Sequence, residues 1–153
     1  MSEKFEWGDH YLEPIHLAGW GEHQSTTEAQ AYCSSIANAH YENFIIVNKF
    51  TPKDIKQHIE NIYAFCRYGD DLGDEAPFDT TGRMALLQAW EDDLEEAAKD
   101  VWTGSPAHPI LKAIQITSKQ FNIPLEPYWK LIQAFKMDQT KTRYSTWEEL
   151  KQY

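Results

Sequence analysis

The chain has 153 residues, with 14 Lys and Arg against 24 Asp and Glu, a net charge of −10 and a pI near 4.9. That length suits one domain able to bury about 70% of its unfolded surface. The negative mean field works against phosphate backbones and anionic lipid, so no nucleic-acid partner is expected and membrane contact is at most transient and peripheral.

Mean hydropathy is −0.62, and no apolar run approaches the ~20 residues of a membrane span. The opening MSEKFEWGDH has neither the basic and apolar regions of a secretory signal nor the bias of a transit peptide, so a cytoplasmic chain, at most loosely membrane-associated, is expected. Residues 1–24 scatter Gly8, Pro14, Gly19 and Gly21 among Trp and His without a period, which predicts an irregular arm ahead of a domain over 25–153. Every later segment has helical spacing and none alternates like a strand, so the expected class is all-α.

The first helix is announced by Ser25, with Glu28 three residues on as a capping box, and stripes Ala29, Tyr32, Cys33, Ile36, Ala37, His40 and Phe44, with a break near His40. Thr51-Pro52 reads as N-cap and first residue of the second helix, whose stripe is Ile55, Ile59, Ile62, Tyr63 and Cys66. A third begins near Thr81 and stripes Leu87, Trp90, Leu94, Ala97 and Val101; a fourth spans about Pro109 to Phe121; a fifth starts at Pro127 with Tyr128, Leu131, Ile132 and Phe135. The short polar connections favour antiparallel neighbours in a bundle. Ser145 and Thr146 before Trp147, with Glu148 and Glu149 behind, signal a sixth helix that is only two turns old at Tyr153, as in the front part of a longer domain. Cys33 and Cys66 lack metal-ligand spacing and read as small buried hydrophobes.

The acidic end of the second helix carries the chemistry. At 100° per residue, Asp70 falls inside the Ile55–Cys66 stripe and Asp74 lies one turn on at its edge, with Arg67 nearby and Asp71 and Glu75 flanking. Carboxylates on a buried side cost several kcal/mol unless paired or bound to metal. Mg²⁺, which takes a few carboxylate oxygens plus waters and substrate phosphates, fits DDLGDE better than Ca²⁺ in an EF-hand, whose ligand order is missing; solvated acids at a frayed helix end are the plain alternative. The denser run Glu91, Asp92, Asp93, Glu95 and Glu96 mostly avoids its helix's apolar stripe and reads as a solvated face.

HYENF (His40 to Phe44) followed by IYAFCRYGDDLGDE (Ile62 to Glu75) resembles the squalene/phytoene synthase family, which pairs a first-helix motif ending in Phe with Tyr-x-x-x-Arg-x-x-Asp-Asp-x-x-Asp. The likeness continues through WTGSPAHPIL, FNIP and FKMDQTKTRYSTWEEL, where it is most similar to bacterial hydroxysqualene/squalene synthases of hopanoid biosynthesis. The resemblance implies an isoprenoid-synthase helical bundle and a prenyltransferase that ionises an allylic diphosphate, farnesyl or presqualene diphosphate, with Mg²⁺ on the leaving group. It implies catalytic roles for Tyr63, Arg67, Asp70 and Asp74, with Asp70 and Asp74 holding Mg²⁺ and Asp71 and Glu75 in support. Tyr63 and Arg67 would face the diphosphate, His40, Tyr41, Asn43 and Phe44 would form a flap, and Tyr153 would open the next pocket-lining helix. The family's second acidic motif has no counterpart in these residues, so the chain alone is expected to be inactive or nearly so. Phytoene synthase acting on geranylgeranyl diphosphate and a non-catalytic helical module are the alternatives, and companion enzymes of the same pathway are possible partners.

Overall fold

A computed structural model describes residues 25–39, 51–106 and 108–153. Among the described residues six helices follow in chain order: α1 (Thr26–Ala39), α2 (Lys53–Asp74), α3 (Thr80–Trp102), α4 (Pro109–Phe121), α5 (Glu126–Asp138) and α6 (Trp147–Leu150). Among the described residues there is no strand, and no helix is long and apolar enough to cross a membrane. The all-α expectation holds.

Local chemistry sets the helix ends. The Glu28 N–H donates to Ser25 Oγ at 3.2 Å while Glu28 Oε2 accepts from the Ser25 N–H at 2.8 Å, closing the expected box. At α2 the cap is Pro52 rather than Thr51: its ψ of 137° takes it out of the helix, and its carbonyl accepts from the Ile55 and Lys56 N–H groups. Asp79 heads α3 by accepting from the Gly82 N–H at 2.9 Å, and His108 Nδ1 heads α4 by accepting from the Ile110 N–H at 3.2 Å, just before Pro109. Left-handed Asn122 ends α4 where expected, and Thr146 caps α6 from Glu149.

The packing centres on two helices: α2 meets α1, α3, α4 and α5, and α4 meets α1, α2 and α3. Phe65, Leu87, Leu94, Ile110, Leu111, Ile114 and Ile132 are wholly buried between them, each contributing roughly 1.5–3 kcal/mol of apolar transfer. Trp90 stacks on Phe65 with ring centroids 5.5 Å apart and meets His108 edge-on at 5.0 Å, which joins α2, α3 and the head of α4.

Three expectations are corrected. The core face of α2 is His58, Asn61, Ala64, Phe65, Tyr68 and Leu72, about one residue step (~100°) from the isoleucine stripe. Ile55 is 37% exposed, and Ile59, Ile62, Tyr63 and Cys66 are half-buried. Two polar groups are buried because they bond across the α2–α4 seam: His58 Nδ1 and Asn61 Nδ2 each lie 3.0 Å from Thr117 Oγ1. At the end of α3, Asp100, Val101 and Trp102 have positive φ, which ends the helical stripe early. Val101 is therefore 83% exposed, while Trp102 swings inward and donates from Nε1 to the Ile123 carbonyl at 2.9 Å. Finally, Glu91 is buried rather than solvated, accepting from Trp129 Nε1 (2.8 Å) and Gln133 Nε2 (2.9 Å) and pairing with Lys136, so it ties α3 to α5.

Candidate functional site

The second half of α2 carries Tyr63, Arg67, Asp70, Asp71, Asp74 and Glu75 on its last three turns and C-cap. Because α2 is turned relative to the expected stripe, Asp70 and Asp74 do not point from the buried side. Asp70 keeps a side chain 46% exposed and Asp74 is exposed, so the i, i+4 pair shares the accessible face of the helix end. Asp71, one residue round, has no exposed surface and faces the core side.

Arg67 connects the two faces. Its Nε donates to Asp71 Oδ2 at 3.2 Å, and its Nη2 lies 2.8 Å from Asp71 Oδ1 as an ion pair outside hydrogen-bond alignment. On the opposite edge of the guanidinium, Nη1 lies 3.8 Å from Asp70 Oδ2. Asp71, expected to support the metal ligands, is thus the buried ion-pair partner of Arg67, accepting its Nε–H through Oδ2.

The accessible face carries an excess of negative charge. Burial and then the neighbouring charge of Asp74 push the Asp70 carboxyl above its usual range, with Glu75 and Asp138 adding to the effect and Arg67 only partly opposing it. Burial also raises the Tyr63 hydroxyl, and Asp71 and Asp70 add to that against the pull of Arg67. Among the described residues no group of three or more His, Cys, Asp and Glu is disposed to enclose a metal. A pair of carboxylates in excess negative field suits an ion that takes one or two protein oxygens and completes its shell with water and phosphate.

Asp138, not singled out in the sequence, borders the same face from the end of α5. It accepts from the Tyr153 hydroxyl at 2.7 Å, and this bond, with burial, pushes Tyr153 up to about 12. Two glycines let α5 lie there: a Cβ on Gly69 would stand 2.7 Å from Phe135 Cε2, and one on Gly73 3.0 Å from Gln139 Nε2. Their spacing, Gly69 and Gly73 at i, i+4, each directly before an Asp of the pair Asp70 and Asp74, was the signal available in the sequence. His40, Tyr41, Asn43 and Phe44 lie outside the described residues.

The model of the squalene/phytoene synthase family matches residues 37–153. The chain belongs to that family. A phytoene synthase of Arthrospira platensis is 29% identical over 83% of this chain and 40% of its own length, and a 15-cis-phytoene synthase of Synechococcus elongatus 30% identical over 84% and 40%. Among solved structures, squalene synthase HpnC from Alicyclobacillus acidocaldarius superposes with a TM-score of 0.69 at 38% identity, over 91% of this chain and 47% of that one. The isoprenoid-synthase bundle is therefore the fold, and the relatives are prenyltransferases. The chain spans about two-fifths of the length of these curated relatives.

Proposed function

We propose that this chain forms the first diphosphate-binding half-site of a squalene-type prenyl synthase. The observation that carries the reading is the accessible Asp70/Asp74 pair with the Nη1 edge of Arg67 beside it, 3.8 Å from Asp70. Asp70 and Asp74 would hold Mg²⁺, with Glu75 adjacent. When bound, the ion supplies charge neutralisation of the departing diphosphate. Arg67 presents guanidinium donors to diphosphate oxygens, and Tyr63, half-buried a turn before it, presents a hydroxyl that stays protonated. The half-buried stripe of Ile59, Ile62 and Cys66 continues from these polar groups as an apolar surface suited to a prenyl chain. His40, Tyr41, Asn43 and Phe44 belong to this reading as a flap and Tyr153 as a pocket residue, and the substrate is farnesyl or presqualene diphosphate in squalene and hopanoid synthesis.

Phytoene synthase chemistry on geranylgeranyl diphosphate is the second reading, favoured by the names of the curated relatives; the higher identity to a squalene synthase, 38% against 29–30%, supports the first. The test is calorimetric binding of a non-hydrolysable farnesyl diphosphate analogue, with its geranylgeranyl counterpart alongside. Binding that requires Mg²⁺ and is lost in the Asp70→Asn, Asp74→Asn double variant supports the half-site. Preference for the longer analogue transfers it to the second reading, and metal-independent binding of both counts against it.

A further inference from the structure

Neighbouring acids of the DDLGD segment do opposite work. A carboxylate with no exposed surface is costly unless its charge is matched, and Arg67 supplies a counter-charge to Asp71: Nε donates to Oδ2 at 3.2 Å and Nη2 lies 2.8 Å from Oδ1. The Nε hydrogen bond and the close Nη2 ion pair turn the Nε/Nη2 edge toward that one carboxylate and so orient the guanidinium plane. On the other side of the plane, Nη1 lies 3.8 Å from Asp70 Oδ2. Arg67 is itself only 23% exposed, which limits the rotamers open to it.

We infer that Asp71 is a positioning residue: it anchors the Nε/Nη2 edge of Arg67 from the core side so that the Nη1 edge is presented to the anion bound between Arg67 and the Asp70/Asp74 pair. It is not a metal ligand. The inference rests on the half-site reading above, in which Arg67 meets a diphosphate. It divides the acids by the face they occupy: those on the accessible face hold cation, and the one on the core face holds the arginine. An arginine placed without such an anchor would fold back onto Asp70 and Asp74 and neutralise the acids that the cation needs.

The test is a double-mutant cycle on the chain, with inorganic pyrophosphate and Mg²⁺ as the calorimetric probe and Mn²⁺ binding followed by electron paramagnetic resonance. Asp71→Asn and Arg67→Gln should each weaken pyrophosphate binding about tenfold, and the double variant should be no weaker than Arg67→Gln alone, because each removes the same contact. Mn²⁺ binding should survive Asp71→Asn and fail in the Asp70→Asn, Asp74→Asn variant. A residue that only supports the fold would not produce full coupling to Arg67. If the two losses multiply, or if Asp71→Asn abolishes Mn²⁺ binding while Arg67→Gln does not, the inference is overturned and the half-site reading stands. If pyrophosphate does not bind, or binds regardless of Asp70 and Asp74, both are overturned. Should Asp71→Asn not fold, Asp71→Glu, which keeps the charge but displaces it by one methylene, enters the same cycle with the same expected coupling.

Discussion

Asp70 and Asp71 are adjacent in sequence, yet one is half exposed and the other fully buried, and this difference decides what each can do. His108 shows the same sensitivity to place. It is fully enclosed by Tyr68 and Trp90, at 4.7 and 5.0 Å, and burial lowers its ring from 6.5 to about 3. The folded ring stays neutral where the unfolded one takes a proton, so its contribution is complete above pH 6.5 and is lost as pH falls toward 3. Urea unfolding at pH 5 should therefore show about 2 kcal/mol less stability than at pH 7. In His108→Asn, which retains a capping oxygen for α4, that difference should largely vanish. The interval avoids Glu91: burial pushes that carboxyl up, but bonds from Lys136, Gln133 and Trp129 outweigh it and hold it below 4.5, so its contribution fades only at lower pH. Glu91→Ala leaves Lys136 in a largely buried position without its carboxylate and should cost about 2 kcal/mol by chemical denaturation, whereas Glu91→Leu with Lys136→Met should recover most of it.

At the level of elements, the join between α2 and α5 is made by what α2 lacks. Gly69 leaves space for the Phe135 ring, and Gly73 for the Gln139 amide, which brings Asp138 to the border of the acidic face. Gly69→Ala puts a methyl against Phe135 Cε2 at 2.7 Å and should destabilise by about 1–3 kcal/mol in thermal or urea unfolding. Adding Phe135→Leu should restore part of the loss, since the obstruction is the ring edge; no recovery would mean that the backbone of α2 needs glycine there for another reason. The rotation of α2 has a related origin. Its isoleucines suggest a core face, but Ala64, Tyr68 and Leu72 are the residues buried in the common core, and His58 and Asn61 become core residues because Thr117 answers them. A single helix cannot reveal that partner. The starts of α1 and α6 were legible because a capping box is a contact among residues three or four apart. The end of α3 was not, since Trp102 reaches its buried place through a left-handed turn directed by Ile123 and by Tyr128, 5.6 Å away.

For the whole molecule, the net charge of −10 means that any cation stabilises the compact state by screening self-repulsion. A specific site must exceed that background. Millimolar Mg²⁺ should raise the melting temperature above that in NaCl of matched ionic strength, and Asp70→Asn with Asp74→Asn should erase the difference; equal shifts with both salts would point to screening alone.

Length, helical periodicity, local caps and the order of the HYENF and YxxxRxxDDxxD segments established the all-α class, five of the helix positions closely and the family, because those depend on contacts or patterns that are near in sequence. Which face of α2 is buried, that Glu91 joins two helices, that Asp138 borders the acids and that Asp71 rather than Asp70 is buried were decided only by the tertiary structure. A helix fixes the angle between its own residues, but its rotation in the bundle is set by the sum of contacts with helices tens of residues away.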